Sequence, residues 1–96
     1  MKTSQQLDII FFVKELRIEH KLSQAGLADK LDISYGLIGN IESSKFPHKY
    51  TISQLYKIMQ YFDVPFEELF LKADELKLNK RKTIDLLIDK IVEYDR

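Results

Sequence analysis

The side chains able to do chemistry in this chain gather between positions 23 and 50: Ser23, Gln24, Ser34, Tyr35, Asn40, Ser43, Lys45, His48 and Lys49. Their chemistry is hydrogen bonding and the neutralising of anions. An asparagine amide donates and accepts at once, a serine or tyrosine hydroxyl does either, and lysine carries a compact positive charge. Covalent catalysis and metal binding find no comparable support. There are two histidines, His20 and His48, no cysteine, no glycine-rich phosphate loop and no metal-ligand spacing. Ser43-Ser44 has no base beside it and reads as a helix end. The expectation is a protein that is not an enzyme and uses no cofactor.

Helical periodicity supplies the elements that must position these groups, and no run alternates with period two. The spacing predicts a first helix from about Gln5 to Glu19, with Thr3 and Gln6 at capping-box spacing and a wide apolar face of Leu7, Ile10, Phe11, Val13 and Leu16. Ser23 is a suitable N-cap for a second helix that places Leu27, Ala28 and Leu31 on one side. Asp32-Ile33-Ser34 reads as a turn, with Ser34 capping a third helix over Tyr35–Ser43 that points Ile38 and Ile41 inward. A loop runs through Lys45, Pro47 and Tyr50. Thr51 and Gln54 then open a fourth helix bearing Ile52, Leu55, Ile58, Met59 and Phe62. Pro65 suits the first turn of a short fifth helix with Phe66, Leu69 and Phe70. Residues 74–82 read as a connector or frayed helix. Thr83–Tyr94 carries Ile84, Leu87, Ile88, Ile91 and Val92 at amphipathic spacing.

At 96 residues and 45% hydrophobic, the chain can fill one small core with one appended element. Fifteen basic residues balance fifteen acidic ones, so net charge announces no polyanion binder. Distribution says more. Residues 33–62 hold Lys45, Lys49, Lys57 and His48 against one acid, Glu42, whereas residues 63–96 hold nine acids against seven bases. That asymmetry favours anion contact through the middle of the chain. No apolar run is long enough to span a bilayer, no signal peptide is visible, and a cytoplasmic protein without membrane partners is expected.

Residues 23–45 resemble the helix-turn-helix of the Cro and phage-repressor (XRE-type) regulators. The run Leu22-Ser23-Gln24, then Leu27-Ala28 and Leu31, is similar to that family's second helix. Ile33-Ser34, Ile38, Ile41 and Glu42 are similar to its turn and recognition helix, and Val64–Phe70 to its closing motif. The likeness covers residues 7–71. It implies an all-α, five-helix repressor-like DNA-binding domain over residues 1–72, with the helix-turn-helix in helices two and three. Residues 73–96 would form a connector and a C-terminal amphipathic helix. Three departures stand out: Asp32 at the turn where glycine is usual, Ser44 where glycine commonly ends the recognition helix, and Gly36 and Gly39 inside that helix. Asp tolerates a left-handed turn, while each helical glycine disfavours helix by about 1 kcal/mol.

The resemblance implies sites residue by residue. Ser34, Tyr35, Gly36, Leu37 and Asn40 would read bases in the major groove, Asn40 by matching an adenine edge and Gly36 by letting the backbone approach. Plain packing is the other reading of Tyr35 and Leu37. Ser23, Gln24, Ser43, Lys45 and Lys49 would hold phosphates. Arg17 and Glu42 would form an ion pair locking the recognition helix. The expected partner is double-stranded DNA, bound as a homodimer and most simply as a repressor. Ile84, Leu87, Ile88, Ile91 and Val92 are expected at the dimer interface in preference to folding back on the core. The alternative is an antitoxin-type or other module that binds a toxin or another protein through the C-terminal helix.

Overall fold

A computed structural model describes residues 1–96. Five α-helices follow one another: α1 (Ser4–Glu19), α2 (Gln24–Leu31), α3 (Tyr35–Glu42), α4 (Ile52–Phe62) and α5 (Lys80–Asp95). Single 3₁₀ turns at Phe66–Leu69 and Glu75–Lys77 join α4 to α5, and there are no strands.

Local side-chain caps start each α-helix. Thr3 Oγ1 accepts from the Gln6 amide at 3.1 Å while Gln6 Oε1 accepts from the Thr3 amide at 3.0 Å. Thr51 and Gln54 repeat this reciprocal box at α4. Ser23, Ser34 and Asn79 cap α2, α3 and α5 through one amide each. Every one of these bonds removes an orphan donor at a helix start.

The ends of α1, α2 and α4 follow an equally simple rule. Lys21, Asp32 and Asp63 all adopt the left-handed conformation, with φ of 55°, 56° and 56°. Behind each, the next amide reaches back across the last turn, as Ile33 N does to Ala28 O at 3.0 Å. Asp32 thus makes the α2–α3 turn without a glycine.

One core unites the helices. It takes Val13 from α1, Leu27 and Ala28 from α2, Ile38 and Ile41 from α3, Leu55 and Ile58 from α4, and Tyr94 from α5. Tyr94 is completely buried, so the expected boundary at 72/73 separates two stretches of chain that share this core.

Four expectations are corrected. The fifth helix is only a 3₁₀ turn, because Pro65 stands in extended backbone and the segment closes at Phe70. The C-terminal helix begins at Lys80, three residues early, because Asn79 caps it by accepting from the Lys82 amide at 3.0 Å. The first helix does not bury a wide face: Leu7 and Phe11 are exposed, Phe11 by 61%, since neighbours cover α1 on one side only. Finally, α5 does fold back on the core, through Tyr94, with Leu87 and Ile91 half-buried against it.

Candidate nucleic-acid interface

The geometry around α3 is built outward from two side chains. Ile38 and Ile41 are fully buried and fix which face of the helix turns inward. Ala28, 2% exposed, lies where α2 packs against α3, and its small side chain permits that approach.

The C-terminal end of α3 is then clamped by polar groups. Arg17 of α1 donates from Nε to Glu42 Oε2 at 2.8 Å and from Nη2 to Glu42 Oε1 at 2.9 Å. Its third arm, Nη1, donates to the Leu22 carbonyl at 2.9 Å. Gln24 Nε2 adds a bond to Glu42 Oε1 at 2.9 Å. The side chains of Arg17 and Glu42 are only 11% and 3% exposed, and this is the chain's one salt bridge. A buried fork-to-fork pair with its remaining atoms satisfied is strongly oriented.

One further group completes the clamp, and sequence reading missed it. Lys2 Nζ donates to the carbonyls of Ile41 and of Ser43, the latter at 2.7 Å. A lysine there satisfies orphan carbonyls and the negative end of the helix dipole. Partial burial pulls its ammonium below the ordinary lysine value. Tyr50, read from sequence as a loop residue, is completely buried. Burial raises its phenol well above the usual tyrosine range, the Glu42 carboxylate adds to the rise, and Arg17 partly opposes it. Lys2 carries no local signal, since the carbonyls it serves lie 39 and 41 residues along the chain.

The N-terminal end of α3 is open. Ser34, Tyr35 and Gly36 are exposed, Tyr35 by 62%, while Asn40 is half-buried. A methyl group built at Gly36 meets nothing within 4 Å, so no packing demands glycine there. Leu37 is half-buried and packs against the core, turned partly away from this face.

Of the phosphate candidates, Ser23 and Lys45 are exposed and Ser43 is half-buried. Ser23 Oγ is already the α2 cap, accepting from the Gly26 amide at 2.9 Å. Gln24 is committed to Glu42 through its amide nitrogen. Lys49 is committed to the far end of α5, donating to the Tyr94 carbonyl at 2.7 Å and lying 5.0 Å from that ring's centre.

A helix clamped at one end and bare at the other, crossed by a capped helix through a tight turn, is the layout of a helix-turn-helix. The family model described as a helix-turn-helix domain matches residues 11–75. The chain belongs to this family. The domain is one of DNA-binding regulators, and the matched span includes α2, the turn and α3. Among curated proteins and among solved structures, none matches the chain.

Outside the match lies all of α5, with Ile84, Ile88 and Val92 each about half exposed. No helix is long and apolar enough to cross a membrane.

Proposed function

We propose that this helix-turn-helix protein is a dimeric, sequence-specific transcriptional repressor of the Cro/phage-repressor (XRE) type, acting in the cytoplasm. The observation that carries the reading is the asymmetry of α3, whose C-terminal end is immobilised by Arg17, Glu42, Gln24 and Lys2 while its N-terminal face stays bare. A pre-positioned helix enters the major groove with little ordering cost.

Ser34, Tyr35, Gly36 and Asn40 then face base edges, with the half-buried Leu37 at their margin. The Asn40 amide matches adenine, and Gly36 lets the backbone approach closely. No arginine stands in α3, so the commonest guanine contact is missing and an A·T-rich half-site is expected. Ser43, Lys45 and the backbone amides of the α2 N-terminus beside Ser23 and Gln24 hold phosphates, whereas the side chains of Gln24 and Lys49 are occupied within the fold. One such module reads few base pairs, so two copies on half-sites about 34 Å apart supply affinity. The exposed stripe Ile84, Ile88 and Val92 on α5 supports self-association. Repression follows by occluding a promoter.

Selection of bound DNA from a random pool at two salt concentrations tests this. The expected product is a two-fold symmetric, A·T-rich site with half-sites about one turn apart, whose retention falls steeply with salt. A pool that enriches nothing at either salt overturns it. The second reading, a module capturing a partner protein, draws on the exposed Leu7, Phe11 and Ile18 of α1. That reading gains if the pool stays unenriched.

A further inference from the structure

The free face of α5 is patterned in a way that dimerisation alone does not require. Along it run Arg81, Ile84, Ile88, Val92 and Asp95, all exposed. Their separations are three, four, four and three residues, which keeps them on one side of a helix with 3.6 residues per turn. The series is symmetric about Ile88 in spacing and in apolar character, and it is opposite in charge at its two ends.

Charge on the rest of α5 has the same polarity. Its first turn holds Lys80, Arg81 and Lys82 and no acid, while its last turn holds Glu93 and Asp95 and no base. An isolated helix prefers the reverse order, because its amino end is the positive pole of the dipole and its carboxyl end the negative one. None of these charges is paired within the chain, whose only salt bridge is Arg17–Glu42. The carbonyl of Tyr94 is served by Lys49 and Gln6, but the Glu93 and Asp95 carboxylates are not.

We propose that α5 pairs with α5 of a second copy, antiparallel, about a two-fold axis passing at Ile88. This rests on the dimer reading above and specifies its geometry. Ile88 then faces its own mate, Ile84 faces Val92 of the second copy, and Arg81 faces Asp95. Each basic amino end lies beside an acidic carboxyl end, and the two helix dipoles oppose. The contact is isologous, so it closes at two copies. Asp85 and Asp89 lie on the outer flank, where screening keeps repulsion between the copies small.

The test uses the full chain and sedimentation across a concentration series. Ile88→Glu places two charges on the axis and weakens association by at least about a hundredfold, with the helical spectrum unchanged because Ile88 is half exposed. Arg81→Glu or Asp95→Arg alone weakens it by about tenfold, while the double reversal, or an equimolar mixture of the two single variants, restores it to within about threefold. The chain has no cysteine, so Ile88→Cys gives an unambiguous disulfide readout. It should cross-link to itself on oxidation. Ile84→Cys should not, its mate lying about 12 Å away along the axis, but it should cross-link when mixed with Val92→Cys. A wild-type chain that stays monomeric throughout overturns the dimer reading itself. A dimer that survives Ile88→Glu, or in which Ile84→Cys links to itself, overturns the antiparallel register and leaves the dimer standing.

Discussion

α3 and α5 each lay one face on the same core and leave another free, yet the free faces differ in kind. That of α3 is polar and small, with Ser34, Tyr35 and Gly36, whereas that of α5 is apolar, with Ile84, Ile88 and Val92. Their anchors differ as well. α3 is held by a buried ion pair, whereas α5 has none and is held by the buried Tyr94, by Leu87 and Ile91 beside it, and by Gln6 and Lys49 donating to the Tyr94 carbonyl. A hydrogen-bonding face suits a polyanionic groove whose edges are donors and acceptors, and an apolar one suits another apolar surface. In the proposed function the two helices divide labour: one reads, the other joins.

Breaking the anchors should give the largest effects. Arg17→Met leaves the Glu42 carboxylate buried without its partner and should cost about 3–5 kcal/mol of stability in urea titrations. Tyr94→Ala opens a cavity beneath α5 and should cost about 3–5 kcal/mol, so that removal of everything after Lys72 damages the domain itself. The milder Tyr94→Phe loses only the bond to the Tyr50 carbonyl, 2.7 Å long, for about 1–3 kcal/mol.

The free faces should answer differently from the anchors. Asn40→Ala should cost about 1–3 kcal/mol of DNA binding and relax preference at one base position, measured by titrating mismatched sites. Lys45→Ala should weaken all sites alike and lower the salt slope by about one.

pH sharpens the contrast between the anchors. The hydroxyls of Tyr50 and Tyr94 are both buried, and burial raises both above their ordinary value. The unfolded chain therefore releases these protons first. Stability holds below a pH of about 10 and falls above it by about 1.4 kcal/mol per pH unit for each tyrosine, until the folded form also ionises. Denaturant melts of the wild type and of Tyr94→Phe should show the slope halved in the variant.

The smallest effect separates folding from reading. Gly36→Ala should add about 1 kcal/mol of stability, since the methyl meets nothing and glycine weakens a helix, and should nevertheless lower DNA affinity. A variant both stabler and fully competent would mean that the backbone at Gly36 keeps its distance from DNA.

Much of this frame was legible before any coordinates. Thr3, Ser23, Ser34 and Thr51 each cap a helix as their spacing suggests, and Asp32 takes the left-handed turn without glycine. The Arg17–Glu42 pair was expected only through resemblance, since nothing local links positions 25 apart. Lys2, Tyr50 and Tyr94 were illegible. Lys2 lies 41 residues from the Ser43 carbonyl it caps, and Tyr94 donates to a carbonyl 44 residues away. Exposure of Leu7 and Phe11 was misread because periodicity reports which residues share a face and says nothing of whether a neighbour arrives to cover it.

The sequence alone determined where α1 to α4 begin, because capping bonds close within a few residues and their energies depend on local identity. It also determined the two free-face chemistries and the symmetric series on α5, which are properties of order along one helix. Only the tertiary structure decided that α5 lies on the core, that Leu87 and Ile91 turn inward while Ile84, Ile88 and Val92 remain outside, and that Lys49 serves α5. Such choices turn on which surfaces meet, and burial is won between segments distant in the chain.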